Sequence, residues 1–230
     1  MIGIIGAMEQ EVAQLQADME QVETVQKAGM TFHKGILCGK EAVVVQSGIG
    51  KVNAGICAQI LADEFHVDVL INTGVAGALD ERLNIGDMVI STDAVQHDMN
   101  VEPLGYEKGQ IPGMDVLAFP ADKELVEKAA QANREANPEI GTFTGRVASG
   151  DQFIAGADKK QEIIESFHAM CAEMEGAAIA QAAWLNGISY VIIRAISDKA
   201  DNSAVMDYPT FEKQAIQHSV RLVRSLLPRL

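Results

Sequence analysis

The chain has 230 residues, of which 48% are hydrophobic, and no stretch rich in proline, glycine or serine marks an internal linker, so we expect one domain over residues 1–230. Its 18 basic and 32 acidic residues give a net charge of −14, which repels phosphate backbones and argues against nucleic-acid binding. The apolar runs are far shorter than the roughly 20 residues that a membrane helix needs, and the N-terminus lacks a signal-peptide pattern, so we expect a soluble protein that does not bind membranes.

The predicted elements alternate between strands and helices along the chain. Runs rich in β-branched residues predict strands, and stretches with helical spacing predict helices. This alternation indicates an α/β protein with a mostly parallel sheet covered on both faces. The segment Gln96–Phe119 has no sustained period, so we predict a long loop there, and such loops are usually functional. In chain order we predict a strand at Ile2–Ile5, a helix from near Met8, a strand at Ala42–Gln46, a helix from Lys51, strands at Val67–Asn72 and Met88–Ile90, helices from Asp122, Ala157 and Gly176, a strand at Tyr190–Ile196 and a helix from Tyr208.

Two glycine-containing turns precede helices and suit a ligand that approaches the backbone closely. Gly3 and Gly6 lack the GxGxxG spacing of a dinucleotide site, and the Ser47–Lys51 segment lacks the glycine spacing and hydroxyl residue of a Walker loop. Both turns still direct a helix N-terminus at the ligand. They therefore predict binding of an anion or a polar small molecule.

Carboxylates near the first helix raise the possibility of a general base. Glu9 and Glu11 lie in its first turns, where a negative charge is stabilised by the helix dipole, and this structural role is the more common one. For one of them to act as a base, it needs a partner that holds it. Arg194 interrupts an otherwise apolar strand, and a buried arginine is almost always paired, so it is the candidate partner. A purely structural ion pair would have the same pattern.

Asp198 directly follows the last predicted strand, where ligands collect in open α/β sheets. A turn or helix cap formed by Ser197 and Asp198 is an equally good interpretation. If the strand alternation persists, Arg194 and Asp198 share one face about 13 Å apart, at roughly 3.3 Å per residue. That separation suits two tasks across one substrate, a base with its arginine at one end and an acid at the other. An acid at neutral pH requires the pKa of Asp198 to be raised.

The three cysteines, Cys38, Cys57 and Cys171, are far apart and show no metal-binding or CxxC spacing. Free thiols in a reducing compartment, and hence the cytoplasm, are the expectation. The histidines show no HExxH pattern, and we predict no metal. His97 with Asp93 and Asp98 could bind a cation, although ordinary turn chemistry explains these residues better.

Several ordered motifs together resemble one family. They are IGIIGAMEQEV, QSGIGKVNA, INTGVAGAL, GYEKGQIPG, SGDQFI, AEMEGAAIA and VIIRAISDKAD, and they span nearly the whole chain. The chain resembles the bacterial 5′-methylthioadenosine/S-adenosylhomocysteine nucleosidases of the nucleoside phosphorylase/uridine phosphorylase superfamily. The resemblance implies a three-layer α/β/α sandwich with a central mixed, mostly parallel sheet. It also implies hydrolysis of an N-glycosidic bond to adenine and a thioribose, without a cofactor, in methionine salvage; 5′-deoxyadenosine is a further expected substrate.

The resemblance also assigns roles to particular residues. Glu11 matches the base that activates water and Arg194 the residue that orients it, while Asp198 matches the acid that protonates adenine N7, positioned by Ser197. Glu175 matches the residue that holds the ribose hydroxyls and stabilises the oxocarbenium-like sugar. The other expected substrate-binding residues are Ala7, Met8, Ile49, Gly77, Phe153, Ile154, Glu173, Met174 and Tyr208.

The family also implies a homodimer in which the partner's loop completes the alkylthio pocket, a part that Leu104 and Pro112 fit. Leu104 stands where the family usually has phenylalanine, and Val75 stands where many relatives have serine. The first departure leaves the preference among 5′ substituents open. The serine helps to hold the base or its water in relatives, so either that role is dispensable here or the water is held differently.

Two other functions are compatible with the same fold. A purine nucleoside phosphorylase would need cations for phosphate, and the phosphorylase pattern places an arginine near the position of Asn72, so electrostatics favours hydrolysis. A non-catalytic nucleoside-binding module would need neither Glu11 nor Asp198.

Overall fold

A mixed ten-stranded sheet forms the centre of the part of the chain that the computed structural model describes, residues 1–201 and 203–230. The strands are β1 (Ile2–Gly6), β2 (Glu20–Lys27), β3 (Met30–Leu37), β4 (Lys40–Gln46), β5 (Val69–Ala78), β6 (Met88–Gln96), β7 (Phe119–Pro120), β8 (Thr142–Ser149), β9 (Cys171–Glu173) and β10 (Ser189–Asp198). The helices are α1 (Glu9–Ala17), α2 (Lys51–Phe65), α3 (Lys123–Ala136), α4 (Ala157–Phe167), α5 (Gly176–Asn186) and α6 (Ala204–Leu226).

One part of the sheet closes into a ring of strands, and the other part ends in a free edge at β2. Parallel pairs join β4 to β1, β1 to β5 and β5 to β10, so these four strands end at the same edge. β10 also pairs with β6, and the path continues through β8 and β9 back to β5. β5, β10, β6, β8 and β9 therefore form a closed ring of strands. On the open side, β3 and β2 extend the sheet by antiparallel pairing.

Helices cover both faces of the sheet because neighbouring residues of the central strands point in opposite directions. Ile5 and Val45 pack in a core with α2 and α5, whereas Ile4 and Val44 pack in a second core with α1, α3 and α6. The layered fold around a mixed sheet confirms the predicted class. The sheet carries more antiparallel pairing than predicted, since β2, β3 and β9 were not recognised in the sequence.

Several element boundaries also differ from the predictions. β5 was expected to stop at Asn72, but it continues to Ala78 through a glycine-rich stretch because β10 pairs with it along its whole length. α6 begins at Ala204, not at Tyr208. The segment predicted to be a long loop, Gln96–Phe119, is irregular apart from a short 3-10 helix at Glu102–Leu104. In the described part of the chain, no helix combines the length and the apolarity that crossing a membrane requires.

Candidate active site

Glu11 is held by backbone N–H groups from the turn after β1 and from within β5. The turn after β1 directs the N–H groups of Ala7 and Met8 at Glu11 Oε2, at 2.7 and 2.9 Å, and the N–H of Val75 donates to Oε1 at 3.3 Å. Burial raises the pKa of Glu11, although the charge of Arg194 and these three N–H groups oppose the rise. Glu9, two residues earlier on the same helix, is exposed. Of the two candidates for a base, only Glu11 faces the interior.

Arg194 lies in the middle of β10 with 1% of its surface exposed. Its ion pair is with Glu173, which accepts from Nε at 3.1 Å and also from Nη2. The prediction that Glu9 or Glu11 would be the paired carboxylate was therefore wrong, because β9 brings Glu173 against the guanidinium. Burial lowers the pKa of Arg194, but the carboxylates of Glu173, Glu175 and Glu11 outweigh burial and raise it. Glu11 thus acts on Arg194 through its charge, without being its ion-pair partner.

Glu173 is surrounded by protein donors. In addition to Arg194, Ser149 Oγ donates to Glu173. The N–H of Glu175 donates to it at 3.2 Å, and the N–H of Gly176 donates to both of its oxygens at 2.8 and 3.0 Å. Asn72 completes the surroundings of Arg194, since its Oδ1 accepts from Nη2 at 2.5 Å. Glu173 and Asn72 together fix the plane of the guanidinium. The predicted contact of Glu173 with substrate stays a prediction.

Glu175 lies at the start of α5, and its Oε1 accepts from the N–H of Gly50 at 2.8 Å. Burial, followed by the neighbouring charge of Glu173, raises the pKa of Glu175 to about 7; Arg194 and the Gly50 N–H oppose the rise. The turn before α2 therefore holds this carboxyl group in place. Met174, the other member of the predicted ribose-binding pair, lines the adjacent cavity.

Asp198 ends β10 and is buried. Its Oδ2 accepts from Ser197 Oγ at 2.9 Å, and its Oδ1 accepts from the N–H of Ala200 at 2.8 Å. Burial raises the pKa of Asp198 even though both of these bonds lower it. The register shifts between Ile196 and Asp198, so the regular alternation that was predicted to reach Asp198 stops at Ile196. The 13 Å estimate based on that alternation does not apply.

Glycines on β5 leave room for the two carboxyl groups. A Cβ atom on Gly74 would lie 2.6 Å from Glu11 Oε1 and 3.4 Å from Arg194 Nη1, and one on Gly77 would lie 2.8 Å from Asp198 Oδ1. Glu11 and Asp198 thus stand beside two points of β5 that are three residues, or roughly 10 Å, apart. The arrangement offers a base beside a cation at one end and an acid at the other.

A small cavity of about 30 Å³ lies beside Asp198, lined by Gly77, Gln152, Phe153, Ile154, Ala172, Glu173 and Met174. Phe153 packs edge-on against Tyr208, with ring centroids 5.9 Å apart, and the Tyr208 hydroxyl donates to Glu212 at 2.6 Å. Because small-molecule pockets usually measure about 300 Å³ or more, this cavity must widen to admit a substrate of nucleoside size.

Some of the predicted binding residues lie outside this cavity. Ala7 and Met8 belong to the turn that holds Glu11. Ile49 is half exposed at the start of α2. Leu104, 73% exposed, and Pro112 lie on the surface of the long loop. Within one chain, therefore, the structure does not bring Leu104 and Pro112 to the cavity.

The interpretation of Asp93, His97 and Asp98 as a cation site receives no support. Asp93 is ion-paired with Arg146, and Asp98 with Lys51. Over residues 1–201 and 203–230, no cluster of three or more histidine, cysteine or acidic side chains has the arrangement of a metal site.

Sequence reasoning missed the residues that hold the charged groups. Asn72 was considered only as a neutral position, and Ser149 and Gly50 were quoted only as parts of motifs. A serine at the carboxyl end of an apolar strand could have pointed to Ser149, but β8 itself was not predicted. The sequence carries no signal for the Gly50 contact, since a backbone N–H belongs to every residue except proline.

The fold agrees with comparisons to known proteins. Residues 1–228 match the phosphorylase superfamily. A curated relative from Staphylococcus aureus (strain JH9), a 5′-methylthioadenosine/S-adenosylhomocysteine nucleosidase, is 44% identical over 231 residues and covers 100% of both chains. The chain belongs to the phosphorylase superfamily, and within it to the family of these nucleosidases.

Solved structures extend the similarity to three dimensions. The nucleosidase of the same name from Neisseria meningitidis, in complex with methylthio-immucillin-A, has a TM-score of 0.96 and 38% identity, covering 100% of this chain and 99% of that one. A futalosine hydrolase mutant from Helicobacter pylori has a TM-score of 0.94 and 31% identity, with coverage of 100% and 99%. Enzymes that differ in their named substrate therefore share this fold.

Proposed function

We propose that this protein hydrolyses the N-glycosidic bond of 5′-methylthioadenosine and S-adenosylhomocysteine, releasing adenine and the thioribose. The observation that carries the proposal is the pair of buried carboxyl groups, Glu11 and Asp198, beside Gly74 and Gly77 of β5. Both have raised pKa values, which bring a base and an acid closer to the working pH. The names of the relatives support the choice of substrates.

The proposed reaction uses the two ends of the site at once. Glu11 takes a proton from water, oriented by Arg194, as the water adds to C1′ of the sugar. Asp198 delivers a proton to N7 of adenine as the C1′–N9 bond breaks. Glu175 holds the ribose hydroxyls and stabilises the positive charge that the sugar develops in the transition state. No step requires a metal or an organic cofactor.

The charges of the site favour water over phosphate as the nucleophile. The carboxyl groups of Glu11, Glu173 and Glu175 all interact with the single guanidinium of Arg194. Asn72, near the position of an arginine in the phosphorylase pattern, is neutral and already bonded to Arg194 and to the carbonyl of Ile5. A phosphate dianion would therefore meet more negative than positive charge.

The test is adenine release from methylthioadenosine in phosphate-free buffer and again with phosphate, with identification of the sugar. We expect free methylthioribose in both buffers. A strict need for phosphate with a sugar 1-phosphate product would instead identify a phosphorylase, and ligand binding without any turnover would identify a binding module.

Variants separate the two proposed roles from general effects of charge. Glu11→Gln and Asp198→Asn should each lower kcat by about 10² to 10⁴-fold, the usual contribution of a general acid or base. Glu9→Gln is the matched control, because Glu9 is exposed on the first turn of the same helix, and it should leave kcat unchanged. Full activity in Glu11→Gln or Asp198→Asn would refute the corresponding role.

A homodimer is part of the proposal. Val52 on α2 is 71% exposed and Leu185 on α5 is 66% exposed, and reciprocal hydrogen bonds between Gln59 and Asn186 join these two helices into one surface. A second copy on this surface would cover these side chains, and its loop would supply Leu104 and Pro112 to the alkylthio end of the site.

The single domain over residues 1–230 and the cytoplasmic location also belong to the proposal. One continuous sheet supports the first, and the buried free thiols of Cys57 and Cys171 support the second.

A further inference from the structure

Three loops meet at the N-terminus of α2 and are tied into a closed ring of hydrogen bonds. Lys51 Nζ donates to Asp98 Oδ1 at 2.6 Å, the N–H of Asp151 donates to Asp98 Oδ2 at 2.9 Å, and the N–H of Lys51 donates to Asp151 Oδ1 at 2.8 Å. Each member of this Lys51 ring, defined as Lys51, Asp98 and Asp151, is bonded to the other two. The ring joins the turn before α2, the segment after β6 and the segment after β8.

The ring is charged, and two of its three members are largely shielded from solvent, whereas Asp151 is exposed. The side chains of Lys51 and Asp98 are each 17% exposed. Burial tends to raise the pKa of Asp98, but the hydrogen bonds from Lys51 and Asp151 and the Lys51 charge prevail, so the pKa is lowered and the carboxylate stays ionised. Gln96 Oε1 also accepts from Lys51 Nζ at 3.0 Å. The side chain of Lys51 is therefore held by Gln96 and Asp98, and its backbone N–H by Asp151.

Two of the three joined loops, the turn before α2 and the segment after β8, lead directly to proposed substrate contacts. Gly50, one residue before Lys51, donates the N–H that holds Glu175, and its φ of 97° is one that glycine adopts readily. Phe153, two residues after Asp151, lines the cavity together with Ile154. If the ring shifted, the Gly50 N–H that donates to Glu175 and the Phe153 side chain that lines the cavity would both move.

We propose that Lys51 and Asp98 are positioning residues, which hold the Gly50 N–H and the Asp151–Ile154 segment in the geometry that binds the nucleoside. The inference rests on the proposed function, because it concerns the ribose and purine contacts of that same site. Neither residue touches the reacting atoms, and both act through Glu175 and Phe153.

The experiment compares Lys51→Met with wild type in steady-state turnover of methylthioadenosine and in calorimetric binding of adenine. Lys51→Met keeps an unbranched side chain, one atom shorter, but removes its charge and its donors. We expect kcat/KM to fall about 10 to 100-fold, as for other changes that displace a reacting site by around 1 Å. Adenine should also bind more weakly, because the Asp151–Ile154 segment moves. Lys51→Arg, which can still donate to Asp98, should recover much of the loss.

Controls separate positioning from simple stabilisation. Lys27→Met removes a lysine whose ion pair with Glu64 is exposed on the surface, and it should change neither measurement. A structural role alone would lower the unfolding temperature of Lys51→Met and leave kcat/KM and adenine affinity as in wild type, and this result would overturn the proposal. If Lys51→Met does not fold, Asp98→Asn answers the same question, since it removes the charge of the pair and preserves the shape. Failure of wild type itself to release adenine would refute the proposed function, not this inference.

Discussion

At the scale of single residues, the protonation of Glu175 links the site to stability. Its pKa is raised from 4.5 to about 7 in the folded protein, mainly by burial and then by the charge of Glu173. A carboxyl group with a raised pKa favours folding when it is protonated. This contribution is fully present below pH 4.5 and is lost as the pH rises through about 7.

Glu175→Gln should therefore stabilise the protein above pH 7, because glutamine carries no buried charge and can still accept from Gly50. The gain in the free energy of unfolding should reach at most about 3 kcal/mol and disappear towards pH 4.5. Urea unfolding of both proteins across this pH range measures it. A difference that does not depend on pH would contradict the assignment.

Glu162→Gln provides a control of opposite sign. Hydrogen bonds from Lys108 and Lys159 lower the pKa of Glu162 to about 2, so its contribution to stability is present above pH 4.5 and is lost as the pH falls. This variant should be less stable than wild type at neutral pH, and the difference should shrink in acid.

At the scale of elements, β5 carries the site because it lacks side chains where the carboxyl groups approach. Gly74→Ala would place a Cβ atom 2.6 Å from Glu11 Oε1, a distance that real structures do not tolerate, so the carboxylate must move. We expect kcat/KM to fall by about 10²-fold, since Glu11 leaves its position beside Arg194. Kinetics on the folded variant, with circular dichroism to establish folding, measures this.

Gly3→Ala on the adjacent strand β1 is the matched comparison. Its Cβ atom would lie 2.9 Å from Leu70 Cδ2, the end of a flexible side chain in the core. This variant should lose stability but keep its activity per folded molecule. Equal losses of activity in the two variants would mean that the effect of Gly74 is not specific to Glu11.

The sequence predicted elements best where they are buried on both faces. β1, β4 and β10 each contain a run of buried apolar residues, and each was predicted close to its observed range. β2 has the sequence EQVETVQK and every residue of it is exposed, so no hydrophobic pattern marks it. The end of β5 was missed for a different reason: its glycines are poor strand formers, and pairing with β10 determines their conformation.

The same limit applies to the candidate site. Ordered motifs predicted roles for Glu11, Glu175, Arg194 and Asp198, but they did not reveal which groups hold these side chains. Arg194 could pair with several carboxylates, and only the position of β9 makes Glu173 its partner. Contacts such as Lys51 with Asp98 join residues that are 47 positions apart and depend on where three loops meet.

At the scale of the whole molecule, the surface formed by α2 and α5 should hold two copies together. Val52→Asp places a charge at a position that is 71% exposed in one chain and would be covered in the dimer. We expect this variant to be monomeric by light scattering and to lose activity, since the partner's loop no longer completes the site. Val22→Asp on the exposed strand β2 should remain dimeric. A monomeric wild type would refute the proposed assembly.

The closed ring of strands has a consequence for the motions of the molecule. β10 is hydrogen-bonded to β5 along one side and to β6 along the other, and it is buried along nearly all of its length. The amide hydrogens of Ile193 and Arg194 should then exchange with solvent only through global unfolding, whereas those in the first turns of α6 around Tyr208 should exchange through local opening. Mass spectrometry of deuterated fragments would resolve the two. The guanidinium would then stand on the slowest-exchanging strand of the protein, and Tyr208, which packs against Phe153, on a segment that opens independently of it.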